Sequence, residues 1–464
     1  MGSIAEDYNN FARYQDIFGQ LRLLKSYTHF LLCFPIPEGT SHDTIVEGLR
    51  SATLKVTSTF PWLTGKVINE GSGKGSSGLF KVAHCPQWEP PNSILRVKDC
   101  SHICPSFAEI MREKGPIKFF NPKDLAPTVA FPQSYQETDD DPACVFALQA
   151  NIVEGGLLLD IAAQHNIMPG GGILQFLSLL SKVMNGGEIT TFEIEQGNRD
   201  RRNMVKLLGP DEPIIDLGRY RRPSLLEASI PAVPAPHGKW CMFRFSAASI
   251  NALKKMASDT SKFVEGITFV SSNDTLTSFI WKRIAAIRLR RMVDPNASSK
   301  FVRAVDVRPT MGVPNEYMGH MVYNTFTTLT MREVDELPFP TLVSLMRKNL
   351  QEDVNEYAVR SFVTLLDRTP DKTTIMYGGE MQPDTDVAFT SLAQSDLYNV
   401  SFGALGKPAL LRRPNFIPRT TTSMIFPKAP DGSLDVMVCL SEDDLDQLKA
   451  DPVWSSHTEL IDKD

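Results

Sequence analysis

A proline-dense stretch constrains this chain more than any other feature. It runs from Gly209-Pro210-Asp211-Glu212-Pro213 to Pro231, Pro234 and Pro236. Proline fixes φ and lacks an N–H, so this density excludes helix interiors and central strands. The stretch reads as a crossover between two blocks of about 200 residues, each long enough to bury a core. The expected organisation is one domain over residues 1–195, a crossover over 196–238 and a second domain over 239–464.

Both blocks alternate helix and strand signals. Ile45, Val46, Leu49 and Leu54 recur at helical spacing over 44–57. Leu63–Ile68 and Leu79–Ala83 read as a hairpin around a Gly/Ser-rich turn. Gly156–Gln164 reads as a buried strand, and Ile173–Met184 as a helix stopped by Asn185-Gly186-Gly187. In the second block, Trp240–Phe245, Phe301–Val307 and Val436–Leu440 read as strands. Ser249–Ala257, Leu276–Arg290 and Glu442–Lys449 read as helices, the last with acids at its N-terminal end, where the dipole favours them. This mixture predicts an α/β or α+β fold of mixed sheets flanked by helices.

Composition narrows the partners. Lys and Arg total 48 against 54 Asp and Glu, a net charge of −6, so nothing drives the chain toward nucleic acid. Hydrophobic residues at 42% and charged residues at 22% exclude a disordered or coiled-coil chain. Seven cysteines, an odd and sparse count, fit free thiols in a reducing compartment. No run approaches the roughly 18 apolar residues of a membrane helix. Met1-Gly2-Ser3-Ile4-Ala5-Glu6 is too polar for a secretory signal, and Glu6 stands where myristoylation wants Ser or Thr. The expectation is a cytoplasmic monomer with no nucleic-acid or membrane partner.

Several motifs fail their context. Gly73-Lys74-Gly75-Ser76-Ser77-Gly78 matches GxGxxG, but a dinucleotide site needs a helix next, and Leu79-Phe80-Lys81-Val82-Ala83 reads as a strand. Cys100, His102 and Cys104 have no second ligand pair for structural zinc, so no metal is expected. Asp139-Asp140-Asp141 reads as a solvated loop.

His165 has a different setting. The strand ends at Gln164, and Asn166-Ile167-Met168-Pro169-Gly170-Gly171-Gly172 leads straight into a helix. Pro169 suits a first helical turn, and the glycines admit close approach of backbone or ligand. His165 therefore stands on a tight strand-to-helix turn beside exposed N–H groups. Such a place can hold a proton acceptor and developing negative charge. The plainer alternative is a histidine hydrogen-bonded at the strand end and inert.

Four further stretches recur in a recognisable order. They are Gln164-His165 with Leu177-Ser178-Leu179-Leu180-Ser181-Lys182; Asp274-Thr275-Leu276-Thr277-Ser278-Phe279-Ile280-Trp281-Lys282; Arg303-Ala304-Val305-Asp306-Val307-Arg308-Pro309; and Tyr398-Asn399-Val400-Ser401-Phe402-Gly403 with Gly406-Lys407-Pro408. In this order the chain resembles the BAHD acyltransferases, and within them the fungal trichothecene 3-O-acetyltransferase type. The likeness spans nearly the whole chain. It implies two chloramphenicol-acetyltransferase-like domains with a tunnel between them. It also implies acyl transfer, acetyl in the first instance, from acyl-CoA to a hydroxylated secondary metabolite. His165 would be the general base in a ternary complex, with no permanently bound cofactor. Arg308, Thr390 and Ser391 would lie on the substrate side, and Ser271, Ser272 and Asp274 near the coenzyme. Arg288, Arg290 and Arg291 would meet CoA phosphates or form a solvated helix face.

The sequence departs from the family's two signatures. Pro169 stands where HxxxDG has its aspartate, with Gly170 next, and Ser401 replaces the aspartate of DFGxG ahead of Phe402 and Gly403. The resemblance makes these positions structural and leaves Arg308 without its family partner. Asp306 falls on the opposite strand face from Arg308's neighbours, so it is not expected to compensate. Arg308 is then hydrated, paired elsewhere, or turned to the cavity to bind an anion. Thr390 has a plainer reading as a buried, backbone-bonded threonine. The missing carboxylates also motivate an alternative activity, a cyclisation or pericyclic step on the same fold. A non-catalytic binding protein is the third reading.

Overall fold

The computed structural model describes residues 8–130, 142–226, 238–376, 379–416 and 421–463. The N-terminal residues 1–7, Asp139-Asp140-Asp141 and Pro231, Pro234 and Pro236 lie outside the described residues. The first half of the chain supplies strands β1 (Tyr27–Pro35), β2 (Lys66–Gly73), β3 (Ser76–Ala83), β4 (Leu95–Asp99), β5 (Phe146–Val153) and β6 (Gly156–Gln164). The second supplies β7 (Gly238–Phe245), β8 (Ser298–Asp306), β9 (Val322–Thr330), β10 (Val387–Ser391), β11 (Leu410–Arg412), β12 (Thr422–Ile425), β13 (Leu434–Ser441) and β14 (Glu459–Leu460).

β6 is the central strand of the first sheet. Its residues Leu157-Leu158-Leu159 and Ile161-Ala162-Ala163 are apolar without alternation, as burial on both faces requires, and all nine of its positions are buried. The sheet order is β11-β1-β6-β5-β4. The helices His42–Thr59 and Gly170–Met184 turn apolar faces toward its core, with Leu49, Val56, Phe176 and Leu180 fully buried. The second sheet runs β14-β7-β13-β12-β10-β8-β9, with β10 parallel to both neighbours. The Ser272–Leu289 helix covers it, and Trp281 and Ile280 are fully buried. β2 and β3 form a separate hairpin in which Gly73 pairs with Ser76, so the GxGxxG string is a hairpin turn. No helix among the described residues is long and apolar enough to cross a membrane.

The first sheet takes β11 from the second half of the chain, through Leu31↔Arg412, Leu32↔Leu411 and Cys33↔Leu410. This strand ties the two sheets together by charge. Arg412 on β11 contacts Asp435 on β13 at 2.8 Å, and Arg244 on β7 contacts the same carboxylate at 2.7 Å. Arg412 also donates Nε–H to Gly115 O at 2.7 Å. Burial alone would raise the Asp435 pKa, but the two guanidinium groups hold it below the usual carboxylate range. Removing one member of a buried pair leaves an unpaired charge and costs about 3–5 kcal/mol. Asp435→Ala should therefore lower the urea midpoint substantially. A midpoint equal to that of the native protein would show that the cluster does not hold the sheets.

Candidate active site

β6 ends at Gln164, and the next residue is His165. The His165 N–H donates to Ser26 O at 2.7 Å, which carries the β1–β6 pairing one residue further. Ile167 N–H and Met168 N–H both donate to Gln164 O, at 3.0 and 2.8 Å, and close the turn. Pro169 is the N-cap, with φ −75° and ψ 178°, and Gly170 opens the helix. Proline thus stands one position earlier than the first-turn placement expected from the sequence, and the helix begins three residues before Ile173. Gly172 and Ile173 donate to Pro169 O, which starts the helical ladder.

Close packing holds this turn. A Cβ added at Gly19 would stand 1.8 Å from Asn166 O, so only glycine lets the N-terminal segment press against the turn. A Cβ at Gly171 would stand 2.4 Å from Arg308 Nη2, which places that guanidinium against the helix's first turn.

The imidazole of His165 is half-buried. Burial pushes its pKa down to about 4, because desolvation penalises the charged ring. It is therefore uncharged at neutral pH. A second imidazole, His320, lies beside it with ring centroids 5.4 Å apart and planes at 75°. His320 is fully buried, and burial, with His165 and Arg201 nearby, holds its pKa well below the ordinary value. Asp16 accepts hydrogen bonds from His320 N–H at 2.7 Å, Tyr317 OH at 3.2 Å and Phe18 N–H at 3.0 Å. Burial raises the Asp16 pKa to about 6, against the opposing pull of Arg201. Arg201 donates to Ile167 O at 2.8 Å and lies over the Trp62 ring, 4.1 Å from its centroid. Sequence reasoning found none of Asp16, Arg201, Tyr317 or His320. They come from three distant segments, and no local motif marks them.

Arg308 corrects an expectation. Its guanidinium makes a two-pronged pair with Asp306, Nε–Oδ2 at 3.0 Å and Nη2–Oδ2 at 2.6 Å. Nη1 donates to Asn315 O at 2.8 Å and Tyr317 O at 3.1 Å. Residues two apart share one strand face, and β8 ends at Asp306, where the chain turns and lets the two side chains meet. Asp306 Oδ1 caps that turn by accepting the Arg308 N–H at 3.0 Å. Arg308 is satisfied within the protein.

Asp274 is committed as well. It pairs with Arg303 at 2.8 Å and with Arg347, and completes a capping box with Ser271 at the start of the Ser272–Leu289 helix. Burial alone would raise its pKa, but Arg303 and the Ser271 backbone N–H hold it below the usual range. Arg288 is neither solvated nor turned to an outside phosphate. It is buried and pairs with Asp444 at 2.9 Å, as Arg291 does at 3.0 Å. Arg290 remains half-exposed.

Thr390 and Ser391 end β10 and are exposed, whereas Val387 and Phe389 before them are buried. The buried reading of Thr390 is corrected accordingly. Leu392, the next residue, lies 3.8 Å from the Cβ position of Gly170, so this strand end adjoins the helix start. Ser401 acts at the helix's other end. Its carbonyl accepts from Ser181 Oγ and Asn185 Nδ2, both at 2.6 Å. Phe402 is buried edge-on against Phe34 with centroids 5.4 Å apart, and Gly403, at φ 55°, lies against Met184 O.

A histidine on such a strand-to-helix turn has relatives. Residues 26–183 match the trichothecene 3-O-acetyltransferase-like N-terminal domain, and residues 117–453 match the Transferase family. The chain belongs to the BAHD transferase family. It is 44% identical to the O-acyltransferase pigD of Monascus ruber over 97% of this chain and 99% of that one. It is 41% identical to the O-acetyltransferase epaC of Aspergillus niger, over 98% of each chain. The structure of Fusarium sporotrichioides TRI101 complexed with coenzyme A and T-2 superposes with a TM-score of 0.88 at 29% identity, covering 96% and 99% of the two chains. This BAHD member is an acyltransferase by class. It holds its histidine turn with backbone contacts, while Asp306 takes the Arg308 charge. Gly19→Ala should force the N-terminal segment off the turn. A displacement of about 1 Å at such a site costs about 10²-fold in turnover. Acyl transfer and circular dichroism, measured together, check this. Undiminished turnover in a folded Gly19→Ala protein would contradict it.

Proposed function

We propose that this BAHD enzyme transfers an acetyl or similar short acyl group from acyl-CoA to a hydroxyl of a secondary metabolite, with His165 as general base. The observation that carries the reading is the place of His165, one residue past the end of β6 on the turn that leads through Pro169 into the Gly170–Met184 helix. The chain's resemblance to TRI101, whose structure is complexed with coenzyme A, supports the choice of donor.

His165 takes the proton of the acceptor O–H. The oxygen attacks the thioester carbonyl, and a C–O bond forms as charge develops on the carbonyl oxygen. The tetrahedral species collapses, the C–S bond breaks, and the proton held by His165 passes to the departing thiolate. The products are an ester and free CoA thiol, with no acyl-enzyme. A resting pKa of about 4 makes the imidazole a weak base in the empty site. The nearby oxyanion favours the imidazolium, so its basicity rises as the reaction proceeds. Thr390 and Ser391, exposed at the end of β10, supply polar contacts on the substrate side. Ser271 and Ser272 face the coenzyme, with Asp274 holding their helix end rather than touching the ligand. In the same reading, residues 1–195 together with β11 form one lobe and the rest of 239–464 the other, and the two flank the substrates. The alternative, a cyclisation or pericyclic step, drew on the missing signature carboxylates. The Asp306–Arg308 pair weakens that motive.

Two measurements test the proposal. With acetyl-CoA and a panel of hydroxylated metabolites, the enzyme should release CoA thiol, and His165→Ala should lower turnover about 10²–10⁴-fold with the fold retained. Equal thiol release by that variant would remove His165 as the base. The second is a pH profile. The base works when unprotonated, so kcat/KM is lost as pH falls through its pKa. With burial holding that pKa near 4, the acid limb of His165 should lie below that of an ordinary histidine, near 6.5. A limb at 6.5 that vanishes in His165→Ala would show a solvated, ordinary imidazole.

A further inference from the structure

His320 is a buried imidazole that packs against the ring of His165. It precedes β9 and is fully buried. Its backbone N–H is fixed by Asp16 Oδ2 at 2.7 Å, the oxygen that also accepts the Tyr317 hydroxyl. Its Nδ1 accepts the Val322 N–H at 3.4 Å. Phe18 lies nearly parallel to the ring, with centroids 6.2 Å apart. The Asp16 contact fixes the backbone that carries the imidazole, and the Val322 N–H and Phe18 orient its ring. That ring meets the ring of His165 edge to face, at 75° and 5.4 Å. Nothing in the sequence pairs these two histidines, which are 155 positions apart (320 − 165).

We propose that His320 is a positioning residue for acyl transfer: its ring sets the plane of the His165 imidazole and closes the buried side of that ring to water. The proposal rests on the reading of His165 as the base. A ring held edge-on leaves His165 little freedom to turn away from an incoming hydroxyl. It also keeps solvent from the side that would stabilise the charged form. The charged and titratable groups around the pair are Asp16 and Tyr317 behind His320, Arg201 on Ile167 O, and Arg308 over Gly171.

The test is a pair of substitutions read by pH–rate profile. His320→Ala opens space for water and frees the His165 ring. It should lower kcat about tenfold through lost orientation, leave KM for acetyl-CoA unchanged, and move the acid limb of kcat/KM up by about one pH unit toward the ordinary histidine value. His320→Phe restores a flat ring and should recover most of kcat and the native limb. Asp16→Asn removes the other group that titrates in this range, and the His320→Ala shift should persist in that background. If His320→Ala does not fold by circular dichroism, the His320→Phe profile carries the test alone. A native kcat and native limb in His320→Ala would overturn the proposal. So would a His320→Phe enzyme with a raised acid limb. His165→Ala, assayed alongside, separates the two claims. If that variant turns over normally, the base assignment falls. If it is inactive while His320→Ala is native in every parameter, only the role of His320 falls.

Discussion

Backbone pressed against backbone shapes the turn on which this enzyme depends. Asn166 O lies where a side chain at residue 19 would begin, and Met318 O lies 2.4 Å from the Cβ position of Gly172. Three segments, around residues 16–19, 164–173 and 317–320, therefore meet with no side-chain spacer between them. Burial there holds the His165 pKa down to about 4, because an imidazolium would lose its hydration. Orientation and protonation state thus follow from one packing constraint.

Charge is balanced locally in this protein. Arg308 takes Asp306, two residues away, and two carbonyls. Arg412 and Arg244 share Asp435 between the sheets, and Arg303 and Arg347 share Asp274 at a helix start. Arg288 and Arg291 share Asp444. Two cations on one carboxylate recur three times in this set, so each carboxylate fixes two elements at once. Such clusters are costly to break because a single loss strands a buried charge. Thr390 and Ser391 at the end of β10 are exposed.

Much of this was legible wherever the governing pattern is local. An apolar run ending in Gln164-His165 and followed by proline and glycines reads as strand, turn and helix, and the structure has that order. The Gly73–Gly78 string was separated from a nucleotide loop by the strand after it. What stayed hidden was set by long-range pairing or by the ends of elements. β11 has only three residues, too few for any periodic signal, yet it joins the first sheet. Asp306 and Arg308, two positions apart, share one strand face, but their pairing depends on the turn at the end of β8, which no local pattern marks. Arg288 was read by helix-face charge, a pattern blind to the Asp444 carboxylate that buries it. Asp16 and His320 carry no motif, and only the fold brings them to His165.

The central claim is that a desolvated, uncharged imidazole stands at the end of β6. Nuclear magnetic resonance of ring-labelled histidine tests it without substrate, with the His165 signal assigned by its loss in His165→Gln. The ring should remain unprotonated at pH 5 and show its first change only as pH approaches 4. A midpoint near the ordinary value of about 6.5 would mean that water reaches the ring freely, and would contradict the account.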